Sequence, residues 1–399
     1  MSPAASRPDP AHLTSGPTRP PYLFVSAGEV SGDRYAADVV EELTAGGAPW
    51  RVQGLGGPRL AAAGVRLIAG LEDLAVMGVV EVARRLGWFW RLQRSVVASW
   101  RRDRPDAVLL VDYPGLNLRL ARDARRLGLR TLYYVTPTVW AWHEGRVRTL
   151  RAAVDAALVI LPFEERFLRE RGVAARFVGH PLGREARRPR DRAAFLRGVG
   201  LDPAADVLAL LPGSRGQELD RLARSFLEAG LLARASAPRP LQLAFGAPTP
   251  ELAARLRARA GGDVPIVVGR AADLLAASAA AIAKSGTVTV EAALLGTPMV
   301  VAYRMNALTL WLARRLVRVE HMAMVNILRG RRVVPELLQE AAAPAALAAH
   351  VVALLEPEGA ERRAMLAEFA ALRAELLRKD APAEVAAAVR AAVGEASRP

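Results

Sequence analysis

The sequence predicts an α/β chain with two Rossmann-like, doubly wound parallel sheets and a ligand cleft between them, and three observations carry that reading. Its 399 residues suffice for two hydrophobic cores, and 52% hydrophobic with 24% charged residues is the balance of a globular protein. From Tyr22 onward, short β-rich runs alternate with longer helical patterns, as parallel βαβ units require. The alternation comes in two series, separated by an Arg-, Pro- and Asp-rich linker from Pro181 to Pro203.

In the first series the predicted strands are Tyr22 to Ala27, Arg51 to Leu55, Ala107 to Asp112, Arg130 to Val135, Ala156 to Leu161 and Arg176 to Val178. The second comprises Val207 to Leu211, Leu241 to Phe245, Pro265 to Val268, Ala279 to Ala283 and Met299 to Ala302. Each run ends in a Gly-, Ser- or Pro-containing turn before a helix, the edge of a doubly wound sheet where ligands bind. Domains are expected at residues 21–182 and 183–342, after a disordered Pro/Ser/Thr-rich leader at 1–20 and before an amphipathic helical tail at 343–399.

Composition removes several function classes. Cysteine is absent, which excludes a disulfide framework, thiolate catalysis and Cys-ligated metals. The five histidines are scattered without ligand spacing, so no metal is expected. The net charge of +15 is nearly all arginine, since Lys284 and Lys379 are the only lysines. Ungrouped arginine in an alanine-rich chain argues weakly for nucleic acid, and no recognition motif supports that partner. Phosphorylated substrates or anionic headgroups suit the charge better. No apolar run of about twenty residues predicts a transmembrane helix, so the chain is expected in the cytosol or on a membrane surface.

Four turns hold the candidate chemistry. Ser26-Ala-Gly28-Glu29-Val-Ser31-Gly32-Asp33 follows the first strand; its glycines allow backbone approach to an anion at a helix start, but it lacks the third glycine of a dinucleotide fingerprint. A plain helix start capped by Ser31 or Asp33 is the alternative. Asp112 ends a buried strand before Tyr-Pro-Gly-Leu-Asn117, where desolvation would raise its pKa toward that of a general base; helix capping is its other role. Leu211-Pro-Gly213-Ser214-Arg215 presents backbone donors and a guanidinium suited to a diphosphate. Lys284-Ser285-Gly286-Thr287-Val-Thr-Val-Glu291 adds hydroxyls and amides for phosphate, with a carboxylate for ribose hydroxyls.

Two further segments leave alternatives open. Trp140-Ala-Trp-His143 could line a sugar or acyl pocket, or its aromatics could pack within the protein. Trp88-Phe89-Trp90 among arginines could lie in a lipid interface, or belong to a core-facing helix with a basic outer side. No Asp-x-Asp pair and no GxxxxGK[ST] loop is present, which disfavours a metal-clamped diphosphate and a P-loop NTPase.

AGEVSGD, GLGGPRL, LEDLAVMGVVEV, VDYPGLN, YYVTPTVWAWHEGRV, LPFEERF, FVGHPL, LLPGSRGQEL, SGTVTVEAALLGTPMVVAYRMN and MAMVNILRGRRVVPELLQE, running in order from Ser26 to Glu340, together resemble the lipid-A-disaccharide synthase family. That resemblance implies a GT-B fold. It also implies inverting transfer of 2,3-diacylglucosamine from UDP-2,3-diacylglucosamine to the 6-hydroxyl of 2,3-diacylglucosamine 1-phosphate, with release of UDP and no cofactor. It maps the acid onto Asp112, the diphosphate or acceptor-phosphate ligand onto Arg215, and UDP contacts onto Ser285, Thr287, Glu291 and Asn326. Many members carry a second Asp where Gly115 stands here, so that carboxylate is not essential in this chain. The resemblance further implies acylated substrates met at the cytoplasmic face of the inner membrane, and a homodimer. Rival readings are another UDP-sugar enzyme of the same fold, such as a polyprenyl-linked glucosamine transferase or a 2-epimerase, and a basic nucleic-acid module.

Overall fold

The computed structural model describes residues 19–47, 49–74, 79–140, 145–261, 263–304 and 321–396. The leader expected at residues 1–20 therefore falls almost entirely outside the described residues.

Two sheets organise the chain. The first contains β1 (Tyr22–Ala27), β2 (Arg51–Gly56), β3 (Arg66–Gly70), β4 (Ala107–Val111), β5 (Arg130–Tyr134), β6 (Ala156–Val159) and β7 (Ala175–Phe177), in the order β3-β2-β1-β4-β5-β6-β7. The second contains β8 (Asp206–Leu211), β9 (Leu241–Ala247), β10 (Ile266–Val268), β11 (Ala280–Lys284), β12 (Met299–Tyr303) and β13 (Glu336–Leu338), in the order β10-β9-β8-β11-β12-β13. Pairing is parallel, with Ala27 opposite Val111 and Leu211 opposite Ala283. The central strands are continuous apolar runs because helices cover both faces: every residue of β1 and β4 is buried.

Strand order reverses direction between β1 and β4 and again between β8 and β11. Such topological switch points splay the loops at the carboxyl ends of the neighbouring strands and open a crevice there. The four turns singled out in the sequence are the four that flank them, after β1, β4, β8 and β11.

Two strands are additions to the sequence reading, and both sit at sheet edges. β3 is half-exposed or exposed along its length and β13 is three residues long, so neither produces the apolar run that marks a buried strand. β4 and β5 each end one residue sooner than expected, because Asp112 and Val135 have positive φ (48° and 56°) and leave the extended conformation. The arginine- and proline-rich linker contains two short helices, Gly183–Arg187 and Arg192–Gly198. The second is capped by Asp191, whose carboxylate accepts from Ala194 N at 2.9 Å.

The chain forms two compact units. One comprises Met1–Tyr134, Ala152–Asp155 and Val385–Pro399; the other comprises Val135–Arg151 and Ala156–Glu384. The tail is helical as expected, with helices Pro344–Leu355, Ala360–Leu376 and Ala381–Ala396.

Candidate active site

In the first unit the site is built around a strained turn. Asp112 and Tyr113 adopt consecutive left-handed conformations, both at φ 48°, immediately before Pro114 starts the helix Pro114–Arg126. Asparagine and aspartate tolerate this region; for a bulky tyrosine it is an outlier costing about 1–3 kcal/mol. Surrounding bonds hold it in place. Tyr133 Oη donates to Asp112 O at 2.7 Å, and Asn117 Nδ2 donates to Asp112 O at 2.8 Å and Val111 O at 3.1 Å. Ser26 Oγ donates to Asn117 Oδ1 at 2.6 Å, which ties the turns after β1 and β4 together. Asn117 is fully buried and its amide is committed to these partners, so its place is in holding the turn.

The turn lifts the Asp112 carboxyl out of the β4 ladder while keeping it partly desolvated. Burial, reinforced by the negative charge of Glu29, raises its pKa from 3.8 to about 6. The Tyr113 hydroxyl donates to Leu74 O at 2.8 Å and is pushed up to about 12, again by burial first and Glu29 second. Glu29 is exposed at the start of the helix Val30–Thr44 and its side chain does not cap that helix. A carboxyl raised to about 6 at the end of a central strand has the chemistry to accept a proton near neutral pH. Gly115 is exposed, and a side chain there would meet nothing within 4 Å, so packing does not forbid a larger residue at this position.

The glycine-bearing turn after β1 divides its residues between two tasks. Asp33 is 1% exposed; its carboxylate accepts from Gly57 N at 2.7 Å, Arg59 N at 3.0 Å and Leu60 N at 3.2 Å. It therefore secures the turn after β2 rather than capping its own helix. Ser31 is half-exposed in the first turn of that helix. Gly28 is buried, and a Cβ there would lie 2.2 Å from Tyr113 Cγ, whereas a Cβ at Gly32 would meet nothing closer than 3.6 Å. Gly28→Ala is accordingly expected to displace the Tyr113 ring and lower both the melting temperature and turnover. Gly32→Ala is expected to fold normally, with a gain of up to about 0.5–1 kcal/mol from replacing a helical glycine. Thermal unfolding and turnover of the two variants side by side check this contrast.

Trp140 packs inside the second unit. Its Nε1 donates to Glu164 Oε1 at 3.0 Å and its ring meets Phe163 edge-on at 5.1 Å. Glu164 is 3% exposed and burial raises its pKa to about 7, opposed by the bonds from Trp140 and the backbone of Leu161 and Ile160. His143 lies outside the described residues.

The second-unit turns after β8 and β11 are joined by groups that the sequence reading did not select. Gly213 has φ 137°, and a Cβ there would sit 2.5 Å from Glu218 Oε2. That carboxylate accepts from Ser214 N at 3.0 Å, while its other oxygen pairs with Lys284 Nζ at 2.9 Å, both side chains largely buried. The Lys284 ammonium also stands 5.0 Å from the Tyr303 ring centroid. Glu218 and Lys284 therefore fix the PGSR turn against the KSGT turn. Arg215 opens the helix Gly216–Ala235; its side chain is exposed and makes no ion pair among the described residues.

Ser285 is buried and its Oγ donates to Met322 O at 2.6 Å. Gly286 precedes the helix Thr287–Leu295, with Thr287 exposed at its start and Glu291 half-buried one turn in. Asn326 is fully buried and its hydrogen-bonding capacity is filled. Nδ2 donates to Val334 O at 2.9 Å and Glu336 Oε1 at 2.7 Å; Oδ1 accepts from Val333 N at 2.7 Å and Val334 N at 2.9 Å. Glu336 in turn accepts from Met322 N at 3.0 Å and Ala323 N at 2.8 Å. Asn326 thus supports the segment against which Ser285 rests.

The helix Val79–Arg102 has two characters. Leu92, Val96 and Trp100 form a buried stripe, with Trp100 edge-on to Phe24 at 5.1 Å. Nearer its start Trp90 is 57% exposed, Trp88 and Phe89 are half-exposed, and Arg91 and Arg94 reach solvent. Arg119 stacks over the Trp90 ring at 5.7 Å. Among the described residues no helix is long and apolar enough to cross a membrane.

Two doubly wound sheets, each with paired turns at its switch point, define the GT-B fold class. Solved structures agree on the fold. A putative UDP-N-acetylglucosamine 2-epimerase from Listeria monocytogenes superposes with TM-score 0.63 at 14% identity, covering 95% of this chain and 98% of its own. The calicheamicin glycosyltransferase CalG4 gives TM-score 0.60 at 17% identity, covering 96% and 100%. Within that class, the chain belongs to the lipid-A-disaccharide synthase family. The family described as Lipid-A-disaccharide synthetase matches residues 23–389. The Lipid-A-disaccharide synthase of Myxococcus xanthus (strain DK1622) is 42% identical over 381 residues, 94% of this chain and 97% of that protein. That of Pseudomonas savastanoi pv. phaseolicola is 38% identical over 383 residues, covering 95% and 99%. The chain is a glycosyltransferase of lipid A biosynthesis, acting on lipid A precursors.

Proposed function

We propose that the chain transfers 2,3-diacylglucosamine from its UDP derivative to the 6-hydroxyl of 2,3-diacylglucosamine 1-phosphate, forming the β-1,6-linked disaccharide 1-phosphate. The carboxyl of Asp112, raised to about 6 on a strained turn at the first switch point, is the observation that supports this reading most directly. Asp112 takes the proton of the acceptor hydroxyl as that oxygen bonds to the donor C1. The C1–phosphate oxygen bond breaks on the opposite face, and its electron pair leaves with UDP. Because the donor is α-linked, the single displacement inverts C1 and gives the β-linkage.

The second unit holds UDP. Arg215, with the backbone of Gly213 and Ser214, offsets charge on the diphosphate as it leaves; Ser285, Gly286 and Thr287 supply a helix N-terminus, and Glu291 the ribose contact. Asn326 acts on this site through Glu336 and Met322. The reading is tested by incubating both acylated glucosamines with the protein and looking for the disaccharide by mass spectrometry, with and without chelator. Absence of that product, or formation of an epimerised sugar nucleotide instead, would reject it.

Substrates carrying four acyl chains between them must be met at a lipid surface, here the cytoplasmic face of the inner membrane. The exposed Trp90 beside Trp88, Phe89, Arg91 and Arg94 suits that contact, with rings at the acyl boundary and guanidinium groups on lipid phosphates. The double variant Trp88→Ser/Trp90→Ser is expected to co-sediment with anionic liposomes several-fold less than the parent. Unchanged co-sedimentation removes this segment from the docking surface.

A further inference from the structure

The second unit carries an open pocket of about 420 Å³ whose described walls include Arg221, Arg304, Gln339 and Glu340. Its two cations come from different elements. Arg221 lies on the exposed side of the helix Gly216–Ala235, further along from Arg215, and makes no ion pair among the described residues. Arg304 follows β12, and its Nη2 donates to Ala342 O at 2.8 Å, which anchors the guanidinium. Two of its walls continue from the turns described above: Arg221 lies on the helix that follows the turn after β8, and Arg304 follows Tyr303, whose ring centroid is 5.0 Å from Lys284 Nζ in the turn after β11.

Among the described wall residues two guanidinium groups stand beside one carboxylate, that of Glu340, and Gln339 contributes a neutral amide. Gln339 has φ 55°, an uncommon conformation for a non-glycine residue and one that concentrates at ligand-binding positions. Guanidinium groups approaching from separate elements favour a tetrahedral oxyanion, which offers acceptor oxygens in several directions.

We propose that Arg221 and Arg304 grip a phosphate of a sugar-phosphate substrate, as a binding point additional to Arg215 and the Ser285 turn. This rests on the glycosyltransferase reading, under which that phosphate belongs either to the diphosphate of the donor or to the 1-phosphate of the acceptor. The chemistry is the same and the two sources separate by experiment.

Arg221→Gln and Arg304→Gln would be assayed for the KM of each substrate, for UDP binding by equilibrium dialysis, and with an acceptor lacking its 1-phosphate. A lost charge-assisted contact is expected to raise one KM about tenfold, with kcat at saturation nearly unchanged. If the donor phosphate is bound, UDP affinity falls by a similar factor. If the acceptor phosphate is bound, UDP affinity holds, the acceptor KM rises, and the dephosphorylated acceptor no longer distinguishes parent from variant. Arg221→Lys, which retains charge, is expected to recover part of the loss. Arg304 also holds backbone, so the Arg221 variants decide the matter if Arg304→Gln fails to fold. Parent-like KM values and UDP affinity in Arg221→Gln would overturn the proposal. A parent protein that forms no disaccharide would instead reject the function itself.

Discussion

Asp112→Asn is expected to lower turnover by about 10²–10⁴-fold, the contribution typical of a positioned general base, with little change in UDP affinity. The substitution isolates chemistry from folding because asparagine accepts a left-handed φ as readily as aspartate, so the turn at 112–113 survives. Alanine would confound the two. The pH dependence follows from the same residue. With its carboxyl raised to about 6 by burial and then by Glu29, the base is lost as pH falls through about 6, so kcat/KM acquires an acid limb there. Glu29→Gln removes a negative neighbour and is expected to move that limb to lower pH. The stability contribution has the opposite sense: a raised carboxyl stabilises the fold fully below its ordinary 3.8 and loses that contribution as pH rises through about 6. Asp112→Asn should therefore melt at or above the parent temperature at pH 7.5, with the difference shrinking toward pH 4. Parent-like turnover would reject Asp112 as the base; an acid limb that persists in Asp112→Asn would assign it to another group.

The local sequence carries the four turns at the switch points clearly and their internal wiring hardly at all. β1, β4, β8 and β11 are uninterrupted apolar strands followed by Gly, Ser or Pro, so their carboxyl ends are readable without a structure. The edge strands β3 and β13 lack that pattern because they are exposed or short. Nothing in Asp-Tyr-Pro announces two left-handed residues, since the bonds that hold them come from Tyr133 and Asn117, placed by other strands and turns. Asn117 and Asn326 sit inside recognisable motifs, yet their amide partners are set by tertiary contacts, Ser26 in one case and Glu336 in the other. The scarcity of lysine is itself a usable signal. In a chain with only two lysines, Lys284 occupies a site where a compact ammonium fits between the Glu218 carboxylate and the Tyr303 ring, a geometry that a planar guanidinium does not reproduce.

Asn326→Ala is expected to cost about 3–5 kcal/mol of stability, since it deletes four hydrogen bonds at about 1 kcal/mol each and leaves their buried partners unmet. The effect should also reach the nucleotide, although the amide has no capacity left to touch it. Without Asn326, Glu336 loses the donor that orients it toward Met322 N and Ala323 N. Met322 O is the acceptor of the Ser285 hydroxyl, so the turn proposed to hold the diphosphate loses its backing. UDP affinity should fall in Asn326→Ala at temperatures where the variant remains folded, whereas it should hold in Asp112→Asn. Asn326→Asp provides a near-isosteric comparison: it removes the two N–H donors and places a carboxylate against Glu336, so it too should weaken UDP binding. Thermal unfolding with equilibrium dialysis of UDP separates these cases. A well-folded Asn326→Ala with undiminished UDP affinity would detach Asn326 from the nucleotide turn and leave its role confined to the fold of residues 322–336.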